Sequence, residues 1–297
     1  MPFPRAIDYH KPGRPRVPNG LGIFYVLASS AYLFSIYFAG SFWGLLDESL
    51  RNGALPLASC ILFGGFLGLI DDWMDLRWRY KAFTPLVASL PLMALRQGYP
   101  VMSTYIFGKI DFRAFGLAGL LFYYAVVIPT IVTVTTNTVN QLGGLNGLET
   151  LCPLVVMVAL ALVAPHMAVL LIVPILALAV LACFNFAGRI FVGNVGSYAF
   201  GITLASFAII ANREQALLIS ILPYIINSCI ILANHFFRRK APSLSMTPDG
   251  LLYADHIRSL QTLMCYKRPT SERVIVLRIV SVFVLSSALA VLTTFFS

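Results

Sequence analysis

Apolar runs of about 20 residues, long enough to cross a bilayer, recur along the whole chain and constrain its fold more than any other feature. Such a run forms an α-helix in lipid, because only the helix satisfies its backbone N–H and C=O groups within the segment. Charged residues make up only 11% of the 297 residues, too few to cover a water-soluble globule of this size. We therefore predict an all-α, polytopic integral membrane protein with a single domain over 1–297.

Nine transmembrane helices fit this pattern, each an apolar run that ends at charge, Gly, Pro or Asn. No repeat or linker divides the chain. The predicted spans lie at 20–40, 53–70, 82–96, 117–135, 149–164, 166–184, 196–212, 215–233 and 274–296.

The distribution of positive charge predicts the orientation in the membrane. Fifteen of the 21 Lys and Arg residues lie on one side of the predicted spans, in 1–19, 71–81, 136–148, 185–195 and 234–273. The positive-inside rule places this side, and the N-terminus with it, in the cytoplasm. We expect a multi-pass protein of a prokaryotic plasma membrane or of the endoplasmic reticulum. The formal charge of +9 then reflects loops that meet anionic lipid or anionic substrate, and no nucleic-acid partner is expected.

The stretch 71–81, DDWMDLRWRYK, is the first candidate site and follows the second predicted span. On a helix Asp75 lies one turn from Asp71 and Asp72, so three carboxylates share a face and repel one another unless a cation joins them. Mg²⁺ held by carboxylates and substrate phosphate is the usual arrangement, and the basic residues that follow, Lys81 among them, suit a phosphate. The alternative is a charged helix end that neutralises itself.

The stretch 136–149, TNTVNQLGGLNGLE, is the second candidate site and carries three asparagines beside a Gly pair. Asn is unfavourable in a helix interior and costly in lipid, so we predict an irregular segment that faces a ligand. Amides both donate and accept hydrogen bonds, which is what recognition of a uracil or sugar edge requires. The alternative is a helix end followed by a turn, with Asn and Gly in left-handed conformations.

Two further stretches on the same side give weaker signals. Glycines bracket Asn194 just before the seventh span, where they let backbone N–H groups approach a phosphate, although close packing of a turn explains them equally well. The loop 234–273 opens on basic residues that also suit a stop-transfer anchor. Within it, apolar residues at helical spacing over 253–264 predict an amphipathic helix on the membrane surface.

These stretches, in this order, resemble the motifs of the polyprenyl-phosphate N-acetylhexosamine-1-phosphate transferases, glycosyltransferase family 4, over residues 11–297. The segments LNGLE at 145–149 and RRKAP at 238–242 are similar to the eukaryotic and archaeal branch, the UDP-GlcNAc–dolichyl-phosphate GlcNAc-1-phosphotransferases. The resemblance implies transfer of GlcNAc-1-phosphate, or a related N-acetylhexosamine-1-phosphate, from a UDP-sugar to a polyprenyl or dolichyl phosphate. UMP is released, and the reaction is the first step of lipid-linked glycan assembly. The implied active site is on the cytoplasmic face.

The resemblance also implies roles for single residues. The expected catalytic residues are Asp71, Asp72 and Lys81, with one of the two aspartates acting as base toward the lipid phosphate. The expected cofactor is Mg²⁺, with Mn²⁺ as the alternative, and its implied ligands are Asp71, Asp72, Asn140 and Asn194. The implied substrate-binding residues are Asn137, Asn140, Asn146, Glu149, Arg189, Arg238 and Lys240. Membrane lipid is an expected partner, and a homodimer is left open.

Asn194 departs from the family, which has a metal-binding Asp at this place in a Phe-Val-Gly-Asp motif. The Asn carbonyl still ligates Mg²⁺, but the site loses one negative charge. A second departure is the number of spans, since the family has ten. Two alternatives therefore stay open at this point. One is a catalytically silent relative that serves as scaffold or lipid binder, and the other is an intramembrane prenyltransferase, whose second Asp-rich motif is missing from this sequence.

Overall fold

The computed structural model of the protein describes residues 3–44, 46–104, 108–238 and 244–295. Within these ranges the chain is mostly helical, as the apolar runs predict, with short 3₁₀ and π turns at several joints. The helices are α1 (Gly22–Phe42), α2 (Glu48–Met74), α3 (Trp78–Ala88), α4 (Leu90–Ala94), α5 (Gly116–Phe122), α6 (Ile128–Gln141), α7 (Leu148–Val163), α8 (Ile172–Phe186), α9 (Gly193–Ile210), α10 (Glu214–Ser220), α11 (Leu222–Ala233), α12 (Leu260–Met264) and α13 (Glu272–Phe295).

Several helical segments of the described ranges have the length and apolarity of a membrane span. Six qualify singly, namely Gly22–Phe42, Glu48–Met74, Phe112–Gln141, Ala168–Phe186, Gly193–Ile210 and Glu272–Thr294. A seventh results if α10 and the following segment Leu222–Phe237, which meet at a bend of 57°, form one span. α7 is apolar but has only 16 residues. The prediction of a mostly helical, polytopic membrane protein is confirmed, and the count of nine spans stays a prediction.

The span predicted over 82–96 is not one continuous helix. The chain forms two short helices there, α3 and α4, which are separated at Ser89. Pro91 in the first turn of α4 has no backbone N–H for the carbonyl four residues earlier, and its ring clashes with that carbonyl. A continuous helix therefore breaks at this position.

Three antiparallel hairpins accompany the helices, which the all-helical expectation did not include. They pair β1 (Arg5–Ile7) with β2 (Arg16–Pro18), β3 (Val101–Thr104) with β4 (Gly108–Asp111), and β5 (Leu244–Met246) with β6 (Leu252–Ala254). The third hairpin corrects the amphipathic helix predicted over 253–264. Leu252 and Ala254 are both buried and flank a less buried residue, which is the alternation of a strand. Only the five residues of α12 are helical, after a capping box at Ser259.

α9 lies at the centre of the bundle, with every residue from Val195 to Ile210 buried. α2 packs along α9 at very short range, because glycines of α2 face it. A Cβ on Gly64 would enter the side chain of Ile202, and a Cβ on Gly68 would lie 2.7 Å from the Cα of Val195. Small residues allow this close approach of two helices in a membrane. The end of α2 and the beginning of α9 are thereby held side by side, and the candidate site lies there.

Candidate active site

Asp72, in the last turn of α2, is fixed to the beginning of α9. Its Oδ1 accepts the backbone N–H of Asn194 at 2.9 Å, and its Oδ2 accepts that of Val195 at 3.0 Å. The first N–H groups of a helix have no partner inside the helix, so a carboxylate at this place caps α9. Asp72 keeps an exposed side, which lines a cavity. The carboxylate is therefore both held in place and open to a ligand.

Asp71, the neighbouring residue, is buried and ion-paired. Its side chain is 1% exposed, and its Oδ1 lies 3.0 Å from Nζ of Lys81 and accepts the N–H of Leu76 at 3.1 Å. Its Oδ2 is buried and has no hydrogen-bond partner among the described residues. A buried carboxylate oxygen without a partner is costly, so this atom has the capacity to bind a proton, a cation or a donor from a ligand.

Asp75 does not join the other two carboxylates, against the convergence predicted on one helix face. It ends α2 in the left-handed conformation, with φ 46°, and its side chain is fully exposed. α2 thus ends at Met74, one residue before Asp75, and Asp75 does not share a helix face with Asp71 and Asp72. Lys81 lies 3.7 Å from the Asp75 carboxylate as well, so it bridges both aspartates from α3.

Asn140 connects α6 to α9 and reaches Asn194, as the implied metal set requires. Its Nδ2 donates to Oδ1 of Asn194 at 2.9 Å and to Oγ of Ser197 at 2.8 Å. Asp72 binds the backbone of Asn194 from the other side. The structure thus brings these three residues, distant in sequence, into one polar group, with Asp71 adjacent to it in the chain.

The remaining predicted substrate-binding residues are spread more widely. Asn137 donates to the backbone carbonyl of Ala82 at 3.0 Å and so joins α6 to α3. Arg189 is exposed on the turn after α8. Of Arg238 only the backbone is described, at the end of a π turn, and Lys240 lies outside the described residues.

Asn146 lies on the loop between α6 and α7, and Glu149 lies in the first turn of α7. Oε1 of Glu149 accepts the N–H of Gly144 at 3.3 Å, and the side chain lines the same cavity as Asp72. Asn146 is buried, and its Nδ2 donates to Asp8 and to Glu272. Its amide nitrogen is therefore occupied within the protein, and one of its two partners, Asp8, lines the cavity.

The cavity has a volume of about 340 Å³ and opens between the site and the N-terminal segment. Asp72, Glu149 and Asn194 line it, together with Gly193. Residues 6–10 of the N-terminal segment line it as well. A cavity lined by carboxylates and amides is suited to a cation and to polar groups of a ligand.

The contribution of the N-terminal segment was missed by sequence reasoning. The stretch 1–19 is polar and rich in proline, which is typical of an unstructured segment, but it forms the β1–β2 hairpin. The one available signal is the pair Asp8 and Lys11, three residues apart in an otherwise basic stretch. Asp8 is only 2% exposed, which the sequence does not indicate.

The donors of the site fit Mg²⁺. Carboxylate and amide oxygens are the hard ligands that this ion prefers, and it usually takes one or two carboxylates with substrate phosphates rather than a complete protein cage. Among the described residues there is no group of three His, Cys, Asp or Glu placed to hold a metal alone. The partnerless Oδ2 of Asp71 and the cavity-facing carboxylate of Asp72 supply the two negative groups.

The fold and the site define an integral membrane protein with a polar, acid-containing cavity at one end of its bundle. The sequence matches the glycosyl transferase family 4 model over residues 54–212. A protein of Saccharolobus solfataricus, provisionally named UDP-N-acetylglucosamine–dolichyl-phosphate N-acetylglucosaminephosphotransferase, is 31% identical over 77% of this chain and 69% of its own length. The protein of that name from Dictyostelium discoideum is 29% identical over 75% of this chain and 63% of its own length. The chain belongs to glycosyl transferase family 4.

The resemblance inferred from the motifs is thereby confirmed, including its archaeal and eukaryotic branch. This family is not that of the intramembrane prenyltransferases. The chain spans 69% and 63% of the two relatives, about two thirds of their length.

Proposed function

We propose that the protein transfers GlcNAc-1-phosphate from UDP-GlcNAc to a polyprenyl or dolichyl phosphate. An oxygen of the lipid phosphate attacks the β-phosphorus of the sugar nucleotide, the bond from that phosphorus to the bridging oxygen breaks, and UMP leaves with the bridging oxygen. The observation that carries this proposal is the pairing of Asp71 with Lys81 beside the cavity-facing Asp72, in a chain of this family. The names of the relatives support the same donor and acceptor.

The charges of the site suit phosphoryl transfer, which depends mainly on positioning and on neutralisation of charge. Lys81 is held by the buried Asp71 and remains partly exposed, so its ammonium group is available to a phosphate oxygen. Asp72, held by two N–H groups of α9, is positioned to take a proton from the lipid phosphate. Arg189, Arg238 and Lys240 are proposed to bind the anionic substrates.

Asp71, Asp72, Asn140 and Asn194 would hold Mg²⁺, with Mn²⁺ as the alternative. The bound ion supplies Lewis-acid neutralisation of the pyrophosphate charge. Nδ2 of Asn140 donates to Oδ1 of Asn194 and to Oγ of Ser197, which holds the two amides together at this place.

The nucleotide half of the substrate is proposed to lie in the cavity between residues 6–10 and Glu149. Asn137 and Asn146 then act indirectly. Asn137 joins α6 to α3, and Asn146 joins the loop before α7 to Asp8. We also propose nine spans, a cytoplasmic N-terminus and a cytoplasmic site. The membrane is then the plasma membrane of a prokaryote or the endoplasmic reticulum, and surrounding lipid is a partner. A homodimer stays open as an alternative.

A direct assay tests this proposal. Purified protein in detergent is incubated with radiolabelled UDP-GlcNAc, polyprenyl phosphate and Mg²⁺, and the lipid extract is counted. We expect lipid-linked sugar from the wild type, and losses of at least about a hundredfold in Asp71→Ala and Asp72→Ala, since each removes a charged group from the reacting centre. Near-normal turnover in both variants would mean that the two carboxylates are structural.

A second function is favoured by one observation, the neutral Asn194 in place of an acid. A catalytically silent relative that binds lipid or acts as a scaffold would give no labelled lipid under any metal condition. It would also show no binding of UDP-GlcNAc, because a site without chemistry has no need of its donor. Binding of the donor, measured by calorimetry, therefore separates the two functions.

A further inference from the structure

A polar cluster borders the cavity, formed by the buried Asp8 and Asn146 and the partly buried Glu272. Nδ2 of Asn146 donates to Oδ2 of Asp8 at 2.8 Å and to Oε1 of Glu272 at 2.9 Å. The same Oε1 also accepts the backbone N–H of Asn146 at 2.8 Å. Because ionised carboxylates accept and never donate, both must bind the NH₂ group, which fixes the orientation of the carboxamide.

The cluster joins segments that are far apart in the chain. Asp8 belongs to the β1–β2 hairpin, Asn146 to the loop between α6 and α7, and Glu272 to the first turn of α13. Lys11 connects the cluster to a fourth segment, the turn at Gly188. Its Nζ lies 3.5 Å from Asp8 and packs directly against Gly188, where any Cβ would collide with it. Asp8 and Asn146 are 2% and 5% exposed, so these bonds are shielded from water.

The cluster also borders the cavity. Asp8 itself lines the cavity, together with the residues on either side of it, and Leu145 lines it next to Asn146. Asp72 and Glu149 line the same cavity. The position of the hairpin residues relative to the rest of the cavity lining therefore depends on the bonds of the cluster.

Stability alone does not explain this choice of residues. Asp8 is a buried carboxylate and Glu272 a partly buried one, both of which cost desolvation, and apolar contacts would hold a hairpin at least as firmly. What acceptor-only groups add is a single defined orientation, and both of them act on one amide. A cavity that must match a ligand gains from such a defined wall, whereas a hairpin that only has to fold does not.

We propose that Asp8 and Glu272 are positioning residues for the sugar nucleotide, acting through Asn146 to hold the hairpin wall of the cavity in its binding position. This inference rests on the proposed function for the identity of the ligand. The cluster orders the hairpin, the hairpin shapes the cavity, and the sugar nucleotide binds in the shaped cavity. The reacting groups around Asp72 are left unchanged when the cluster is broken.

Kinetics of alanine variants test the inference. We expect Asp8→Ala, Glu272→Ala and Asn146→Ala each to raise KM for UDP-GlcNAc about tenfold with kcat within about threefold, because positioning of the donor and not the chemistry is lost. The pairwise combinations are expected to be no worse than the single variants, because both carboxylates act through one amide. Glu272→Gln keeps an acceptor oxygen and is expected to recover most of the affinity.

The matched control is Asp111→Ala. Asp111 is an ion-paired carboxylate on another two-stranded hairpin, 2.8 Å from Arg113 and outside the cavity, so its loss is expected to leave KM unchanged. Fully additive effects in the combinations, or an unchanged KM in the single variants, would overturn the inference. Should an alanine variant not fold, Glu272→Asp replaces it, since it keeps the charge and shortens the reach.

A measurement without turnover separates this inference from the proposed function. Amide hydrogen exchange over residues 5–19 is expected to be faster in Glu272→Ala than in the wild type, although Glu272 is remote from them in sequence. Unchanged exchange there would refute the cluster as the support of the hairpin. A wild type that transfers no sugar would refute the proposed function, while the exchange result would still decide whether the cluster orders the hairpin.

Discussion

Replacement of Asn194 by Asp adds one carboxylate to the candidate site without changing the shape of the side chain. Oδ1 of Asn194 already accepts a bond from Asn140 at 2.9 Å, and an ionised oxygen accepts it more strongly. Residue 194 also lies in the first turn of α9, where a negative charge gains about 0.3–1 kcal/mol from the helix dipole. Repulsion by the adjacent Asp72 opposes this gain. We therefore expect the free energy of unfolding without Mg²⁺ to change by less than about 1 kcal/mol.

In the proposed Mg²⁺ site the balance changes, because a cation held by the carboxylates would remove their repulsion. Hard cations bind a carboxylate more strongly than an amide oxygen. We expect the half-saturating Mg²⁺ concentration for transfer by Asn194→Asp to fall about tenfold, which corresponds to about 1.4 kcal/mol. Turnover at low Mg²⁺ is expected to rise accordingly. The assay is the rate of lipid-linked sugar formation as a function of Mg²⁺ concentration.

The matched control is Asn52→Asp, which adds the same charge at an exposed position near the beginning of α2, far along the helix from Asp72. It is expected to leave the Mg²⁺ dependence unchanged. The reasoning is refuted if Asn194→Asp is active with the wild-type Mg²⁺ dependence. It is equally refuted if Asn52→Asp shifts the dependence as much, since the effect would then come from net charge.

Three further changes test other parts of the structure. Lys81→Met leaves Asp71 buried without its cation and is expected to cost about 3–5 kcal/mol of stability and to abolish transfer. The double variant with Asp71→Asn is expected to regain the melting temperature in detergent but not the transfer activity. An unaltered melting temperature in Lys81→Met would contradict this. Gly68→Ala puts a methyl group into the backbone carbonyl of Asn194 in α9 and is expected to lower both melting temperature and transfer, and normal values would show that the two helices are not in close contact. Cysteines replacing Arg14 and Lys109, in a background without the native cysteines, are expected to react with an impermeant thiol reagent from opposite sides of the membrane, and labelling from one side would contradict the proposed topology.

The sequence predicted the helical membrane class because length and apolarity alone determine whether a segment is stable in lipid. The prediction failed where the hydrophobic pattern of a segment is overridden by another effect, either a proline within it or pairing with a distant strand. At 82–96 the apolar composition is that of a span, but Pro91 removes a hydrogen bond and breaks the helix. Over 253–264 the apolar residues fit one helix, but pairing with β5 makes Leu252–Ala254 a strand, and only Leu260–Met264 is helical.

The site was predictable where neighbouring residues share a motif and unpredictable where the fold brings segments together. The asparagines and aspartates of the implied metal set do lie together around the junction of α2 and α9. Asp75 was misplaced because the left-handed end of α2 cannot be seen in the sequence. Asp8 was missed because its hydrogen-bond partner Asn146 is 138 residues away in the sequence.

The fate of the β-phosphate tests the central claim most directly. UDP-GlcNAc is labelled with radioactive phosphorus in its β-phosphate and tritium in its sugar, and is incubated with the purified protein, polyprenyl phosphate and Mg²⁺. If the protein transfers GlcNAc-1-phosphate, both labels enter the lipid extract in equal amounts and unlabelled UMP appears in the water phase. Sugar label in the lipid without phosphorus, with labelled UDP released, would show transfer of the sugar alone and would contradict the account.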